Sequence, residues 1–564
     1  MSIVSLSDDV NLRSNLNIED IQVLASRLNA TLIEEKDAQD YLTVLRSFEA
    51  IMGTIENASD YVPTELQPQA STSPRTCWRP KTQDNPCNAW SHRCHIQSPS
   101  PTTDLLAGRT VAIKDNISVA GLPTTLGVPA TLFSNASHPV SDVDSSVVSR
   151  ILDAGAIIKG TSTCESFCAS PLSFTSASGL VHNPHLRNYT SGGSSSGSAV
   201  LVASHALKSK RSGAWGEIVE LAVGSDQAGS VRIPASYCGI YGLKPTFGLV
   251  PYTGAVSMTP MIDHLGPMGN TLEDVAALLE VMAGYDGFDP RMSPETPLPS
   301  QTTPYLSILS TLRHEISSSP RPGKDFRVGL LEESFLLAGV SDQVRMTVTR
   351  TARDSFKAMG ATVVGVSVPM HLQGPAIWTA ATRPSMSSHL FQGLPSGHLS
   401  YLPGHVRLHW PPSQSTLDTL KANNPAVVNI LLSELFARNM NTQGLEAKAH
   451  RKVFELRAAY DDALAHVDVL VTPCAPTVAM PHPESDTSIL ERLKVGVGVT
   501  SNTCPFNITG HPAMNVPCGF GRDARQPDTP LPVGMQIVGR RWADDQVIRA
   551  AALFEHGQHL FEKN

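Results

Sequence analysis

Apolar residues recur at helical spacing early in the chain, where Tyr41, Leu45, Phe48 and Met52 follow a three-to-four-residue rhythm. Upstream, Asn17 is placed to cap a helix, with Asp20 three positions on. Residues 17–56 therefore read as a helical pair within a small N-terminal helical domain, residues 1–60. From 61 to 103 the rhythm disappears and Pro, Ser, Thr, Gln and Cys accumulate. That composition predicts an irregular linker or surface wrap, pinned by Trp78 and Trp90. A different texture starts at residue 104. "RTVAIK" reads as a short buried strand, 142–154 as a helix, "AIIKGTS" as a strand, and "SGGSSSGSAVLVA" as a turn running into a helix. Strand-like "GEIVELAVGSDQAG" and "FRVGLLEE", a helix over 341–358 and "ATVVGVSVP" continue the alternation. "VDVLVTPCAP" and "PVGMQIVG" are strand-like, and a last helix falls near 545–558. Such alternation predicts an α/β chain whose sheet is largely covered. Residues 291–325, rich in Pro and Ser, read as loop. Residues 370–440, with weak periodicity, read as a helical insertion able to cover a site.

Composition narrows the classes of function. With 564 residues, 41% hydrophobic and 17% charged, the chain is globular in composition and long enough for a large core. A formal charge of −8 without a concentrated basic block argues against nucleic-acid binding; "KSKR" at 208–211 reads as a solvated loop. No apolar run approaches the ~20 residues a bilayer span needs, and the first residues lack a secretory apolar region. The nine cysteines show no CxxC pair, and Cys77, Cys87 and Cys94, near His92 and His95, fit no common zinc spacing. Reduced thiols in the cytoplasm, with no metal, are the expectation.

Candidate chemistry concentrates in three stretches taken in order: "VAIKDN", "NYTSGGSSSGSAVLVA" and "AVGSDQAGSVRIPASYCGIYGLKPTFG". Lys114 closes an apolar strand. It is either an ordinary surface lysine or a partly buried one held neutral to act as a base. The glycines at 192–197 suggest a phosphate cradle, yet no lysine follows as a Walker loop requires, and GxGxxG spacing is missing. Gly193, Ser195 and Gly197 formally match a GxSxG nucleophile elbow, which would call for a later acid and a late histidine such as His511. Cys164 and Cys168 either line the neighbourhood of the site or pack the core.

Together, "VAIKDN", "GGSSSGSA", "GSDQAGSVRIPA" and "GIYGLKPTFG", in this order, resemble the amidase signature family, serine amidases with a Ser–cis-Ser–Lys triad. The similarity is strong over 104–290 and extends through "TCPFNITGHPAMNVPCG" to "LPVGMQIVGRRWAD". "NPCNAW" and "LVPYTGAVSMTPMIDHLGP" resemble the branch of bacterial enantioselective amidases, which carry an extra N-terminal helical domain. The resemblance implies an amidase-signature catalytic domain over 104–564, with a central mixed twisted sheet covered by helices on both faces. It implies Ser230 as nucleophile, Ser194 as bridging serine and Lys114 as base. It also implies an oxyanion hole from the backbone of Gln227, Ala228, Gly229 and Ser230, with Gly192, Gly193, Asp226 and Arg232 in support. No cofactor is implied. The partner is a small-molecule amide with an aryl or otherwise hydrophobic acyl part, without nucleic acid or membrane, and the resemblance admits a homodimer. Ureido-acid or fatty-amide hydrolysis, and an inactive scaffold, are the alternatives. Three departures stand out: Ser196 and Ala228 replace usual glycines, and the 36 residues from Ser194 to Ser230 exceed the usual spacing through an extra loop near 208–219.

Overall fold

The computed structural model describes residues 14–28, 34–133, 136–210, 215–393, 410–440, 443–484 and 486–563. The chain divides into two compact units, Met1–Thr64 and Glu65–Asn564. In the first, helices Ile18–Arg27 and Glu35–Glu56 pack through Ile21, Ala38 and Leu42. Asn17 caps the first of them, accepting from Asp20 N while the Asp20 carboxylate accepts from Asn17 N. Tyr41, Phe48 and Met52 are each more than half exposed, so the buried stripe lies one position off that rhythm, through Ala38 and Leu42.

The larger unit holds an 11-stranded sheet. In chain order its strands are β1 (Trp90–Gln97), β2 (Thr110–Lys114), β3 (Ile157–Ser162), β4 (Leu221–Asp226), β5 (Tyr241–Lys244), β6 (His264–Gly269), β7 (Arg327–Leu331), β8 (Thr362–Val366), β9 (Val469–Pro473), β10 (Ala513–Asp523) and β11 (Gln526–Val538). Their spatial order is β1-β3-β2-β4-β6-β5-β10-β11-β9-β7-β8. The β3-β2-β4 and β9-β7-β8 groups run parallel and the remaining pairs antiparallel, so the sheet is mixed. Successive strand side chains alternate faces, and β2 shows why both faces are covered. Val111 and Ile113 enter the large core with Leu221 and Val223, whereas Ala112 enters a second core with Ala222 and with Ala199, Val200 and Ala203 of helix Ser196–Lys208. Small residues at 112 and 222 let that helix approach closely. Lys114 shares the parity of Ala112, which aims it toward the helix N-terminus.

Three stretches differ from the sequence reading. Within 61–103, Trp90–Gln97 is an edge strand, antiparallel to β3; its polar "SHRCHIQ" hid the strand because an edge strand needs little apolar periodicity. Within 291–325, Tyr305–Ser318 is a helix burying Tyr305, Leu309, Leu312 and Ile316, a helical rhythm obscured by flanking Pro and Ser. β11 begins at Gln526 because the Pro-laden "QPDTPLP" pairs with β10. Of the extra loop near 208–219, residues 211–214 lie outside the described residues. Its far end covers β1: the Trp90 indole donates to Glu217 O at 2.7 Å, and the Glu217 carboxylate pairs with Arg93 and Lys159. The 370–440 segment contains helices Gly374–Leu390, Gln414–Asn423 and Pro425–Asn439, with 394–409 outside the described residues. Among the described residues no helix is long and apolar enough to cross a membrane.

Candidate active site

Parallel β2 and β4 end side by side, so the chain leaves both strands at one edge of the sheet, the edge at which parallel sheets present ligand crevices. Lys114 closes β2, and its Nζ lies 2.7 Å from Ser194 Oγ, 2.8 Å from Ser225 Oγ and 3.3 Å from Ser225 O. Lys114, Ser194 and Ser225 are wholly buried. Ser194 reaches this position through the glycine turn. Gly192 has φ 78°, and a Cβ there would lie 2.8 Å from Pro234 Cα, which only glycine tolerates. The Gly193–Ser194 peptide is cis, and Gly193 N donates to Pro171 O at 2.8 Å.

Ser230 lies on the turn between β4 and helix Arg232–Cys238 and, unlike Lys114 and Ser194, keeps some exposure (6%). The two motifs are tied directly, with Ser195 N donating to Ser230 O at 3.2 Å. Asp226 and Arg232 brace the turn from inside. Arg232 Nε and Nη2 donate to the Asp226 carboxylate at 3.0 and 2.9 Å, and Arg232 also donates to Gln536 Oε1, Asn507 Oδ1 and Thr503 O. Burial alone would push Asp226 upward, but the Arg232 guanidinium and hydrogen bonds from Arg232, Asn507 and Val231 N hold its carboxyl well below the ordinary carboxylate range.

One backbone donor assigned from the resemblance has another partner. Gly229 N–H donates to Asp226 Oδ1 at 2.7 Å, so it braces the turn and does not face outward. The reason is the Asp226 anion directly beneath it. Gly229 itself has φ 132°, and a Cβ there would collide with Thr503 Oγ1. Ala228 has no positive φ, so alanine costs the turn nothing there. Two carbonyls are pinned from outside: Trp378 Nε1 donates to Gln227 O at 3.1 Å, and Thr503 Oγ1 to Ala228 O at 2.5 Å. Because a trans peptide points its N–H opposite its C=O, the Trp378 contact fixes the direction of Ala228 N–H. Trp378→Phe is therefore expected to lower kcat about five- to tenfold with little change in KM, since a hydrogen bond nets about 1 kcal/mol. Steady-state kinetics with an amide substrate checks this.

Sequence reasoning missed Ser225, Glu165, Trp378 and Gln536, whose roles arise from distant segments meeting at the turn, and gave Thr503 and Asn507, within "TCPFN", no role. It also left open the place of the Cys164–Cys168 pair: both thiols are buried in a hydrophobic core, on the turn whose Glu165 N donates to Ser194 O at 3.2 Å. Ser196, where glycine was usual, donates to Glu165 Oε1 at 2.7 Å. The elbow alternative is not assembled, because Ser195 Oγ donates to Ser225 O while the His511 ring meets Thr509 and Asp461.

Glu165 leads to a prediction about stability. Burial pushes its carboxyl from 4.5 up to about 7, against hydrogen bonds from Ser196 and Thr175 that favour the anion. Folded Glu165 thus holds a proton that the unfolded chain releases between pH 4.5 and about 7, and the stability it contributes below that window is lost as pH rises through it. Glu165→Gln does not titrate, and its amide can satisfy the same partners. Relative to that variant, the parent is expected to lose on the order of 3 kcal/mol across the window, read as a widening Tm gap between pH 5 and pH 8.

A family model described as Amidase matches residues 89–548. An enantioselective amidase from Rhodococcus rhodochrous is 34% identical over 522 residues, covering 89% of this chain and 90% of that protein. Among solved structures, a glutamyl-tRNA(Gln) amidotransferase subunit from Thermotoga maritima superposes with a TM-score of 0.61 at 25% identity, covering 83% of this chain and 87% of that one. The native peptide amidase from Stenotrophomonas maltophilia superposes with a TM-score of 0.59 at 25% identity, covering 80% and 83%. With a match that spans most of the chain, and a mixed α/β sheet shared with these structures, the chain belongs to the amidase signature family and is a carbon–nitrogen hydrolase acting on amides.

Proposed function

We propose that the protein hydrolyses a small to medium carboxamide with an aryl or otherwise hydrophobic acyl part, releasing carboxylate and ammonia through an acyl-enzyme on Ser230. The observation that carries this reading is the buried 2.7 Å contact between Lys114 Nζ and Ser194 Oγ, with Ser230, 6% exposed, on the adjoining turn. A serine hydroxyl is a weak nucleophile and must lose its proton as it attacks the amide carbonyl. Ser194, both donor and acceptor, takes that proton while passing its own to Lys114. The developing oxyanion is received by backbone N–H groups of Gln227, Ala228 and Ser230, each such donor contributing roughly 3 kcal/mol in comparable sites. The relay then returns a proton to the leaving nitrogen, and water releases the acyl group by the reverse path. Ser225 holds the lysine in place through its own hydroxyl and carbonyl.

A cytoplasmic site of action belongs to the same proposal, supported by nine free thiols. The test pairs an aryl fluorophosphonate with a panel of aryl and aliphatic primary amides read by ammonia release. Labelling of Ser230 together with hydrolysis of aryl amides is expected. A folded protein that takes no label and releases no ammonia overturns the reading in favour of an inactive scaffold.

A further inference from the structure

Glu165 is a buried acid that the hydrolysis just described does not use, and it touches the glycine turn that carries Ser194 at three points. Its N–H donates to Ser194 O at 3.2 Å. A Cβ on Gly193 would lie 3.0 Å from Glu165 Cγ, so the acid's methylene packs directly on the peptide between Gly193 and Ser194. Its Oε1 meets Ser196 Oγ at 2.7 Å. On the other side, Oε2 accepts from Thr175 N and from Thr175 Oγ1, both at 2.7 Å. Thr175 belongs to the loop that closes over the same turn, where Pro171 O accepts from Gly193 N at 2.8 Å. Glu165 thus joins loop 170–177 to the turn that sets the position of Ser194.

Which form of the acid sits there follows from its surroundings. Glu165, Ser194 and Ser196 are wholly buried. Among the described residues the carboxyl's hydrogen-bond partners are two hydroxyls and one backbone N–H, with no cation. A buried carboxylate without a counter-ion in contact is costly, so the neutral acid is favoured, and burial pushes this carboxyl up to about 7. A neutral acid needs an acceptor for its proton. Thr175 N only donates, and Thr175 Oγ1, by accepting, would leave its own proton without a partner. Ser196 Oγ can accept and turn its own proton to Thr163 O, 3.4 Å away. Ser196 therefore donates to the ionised form of Glu165 and accepts from the neutral one. Charged and titratable neighbours are few. The glycine turn 191–197 and the 170–177 loop bring hydroxyls, apolar side chains and backbone only. The acid's own turn brings the thiols of Cys164 and Cys168. β2 brings Asp115, whose carboxylate is turned to Ser91 and Thr125, and Lys114, whose charge acts on Glu165. An anion at Glu165 favours the ammonium form of Lys114, which cannot take up a proton, and a neutral acid does not.

We propose that Glu165 is a positioning residue for the proton relay, working as the neutral acid that donates to Ser196 and holds Ser194 against Lys114, and that its ionisation slows hydrolysis. The inference rests on the assignment of Lys114 and Ser194 as relay groups. When Glu165 ionises, its proton passes to solvent, Ser196 turns to donate to the carboxylate, and the contact with Thr163 O is given up. The new anion at the same time holds Lys114 charged. Activity therefore rises with pH as Lys114 becomes neutral and falls again as Glu165 loses its proton.

The test compares pH profiles of kcat and KM for the full-chain parent, Glu165→Gln and Thr175→Val, with an aryl amide read by ammonia release. Glutamine presents an N–H to Ser196 and an oxygen to Thr175 but does not titrate. Its kcat profile is expected to lack the parent's alkaline limb, with KM steady. The ratio of variant to parent should grow about tenfold from pH 6 to pH 8, as the protonated fraction of a group titrating near 7 falls by that factor. Thr175→Val removes a donor that favours the anion and should move the limb up by about 0.7 pH units, the equivalent of one hydrogen bond. A merely structural brace moves the limb in neither variant. A parent profile without an alkaline limb, or a limb that stays in place in either variant, overturns the inference; where Glu165→Gln does not fold, Thr175→Val decides. Lys114→Met separates the two assignments. If it is inactive while the limb stays in place in Glu165→Gln, the role of Glu165 alone falls. If it hydrolyses the amide at the parent rate, the relay falls and the inference with it.

Discussion

Ser230→Ala is expected to lower kcat for amide hydrolysis by at least about 10⁴-fold while leaving Tm within a few degrees of the parent. Removal of an attacking nucleophile commonly costs this much, because the remaining groups stabilise a transition state that no longer forms. The fold should survive, since Ser230 is held through its backbone: its carbonyl accepts from Ser195 N, and the turn around it is braced by Asp226 and Arg232. Lys114→Met should be similarly inactive, and the double variant no worse than either single one, because groups acting as one unit lose their effect together. Single-turnover assays with an aryl amide, alongside thermal melts, check this. Parent-like hydrolysis by Ser230→Ala would remove the nucleophile assignment, and an additive double variant would remove the relay.

Arg232→Met carries the largest expected effect on stability, about 3–5 kcal/mol, because it leaves the Asp226 carboxylate buried without its counter-ion. Both side chains have zero exposure, and Arg232 joins β4, the Ser230 turn, the helix Cys504–Thr509 and β11. The pH dependence distinguishes this from a simple packing loss. In the parent, Asp226 is held below its unfolded value, so the stability it contributes is present above about pH 4 and disappears only as pH falls through the depressed folded value. In the variant, burial without the guanidinium raises that carboxyl, which then takes up a proton on acidification. The Tm deficit should therefore be smaller at pH 5 than at pH 8. Asp226→Asn combined with Arg232→Met removes both charges and should recover part of the loss; a deficit independent of pH and unrelieved by the second change would refute the account.

Much of the active-site chemistry was legible in the linear chain because it depends on local grammar. "TVAIK" signals a buried strand ending in lysine, and the glycines at 192 and 193 signal a turn whose backbone approaches other segments closely. Asp226 and Arg232 came from the family resemblance as braces of the Ser230 turn, and the structure joins them in a buried ion pair. The N-terminal capping pair, Asn17 and Asp20, was equally local. By contrast, the edge strand Trp90–Gln97 was hidden because its outer side meets, among the described residues, a single bridge to Trp78 through Arg93, and the helix Tyr305–Ser318 was hidden by the Pro and Ser around it.

What the sequence by itself determined was the family and the alternation of strands and helices, with Lys114, Ser194 and Ser230 following as the set that the family resemblance implies. Motif order and side-chain periodicity are enough for that, since each rests on contacts within a few residues. Only the tertiary structure decided which groups stand beside them. Ser225 reaches Lys114 because parallel β2 and β4 end in register, and Trp378 reaches Gln227 O from 151 residues away. Gly229 N–H goes to Asp226 because the carboxylate lies beneath the turn. Glu165 N meets Ser194 O across 29 residues because the turn that follows β3 folds back over the glycine turn. Long-range closure brings these groups together, and no spacing along the chain encodes it.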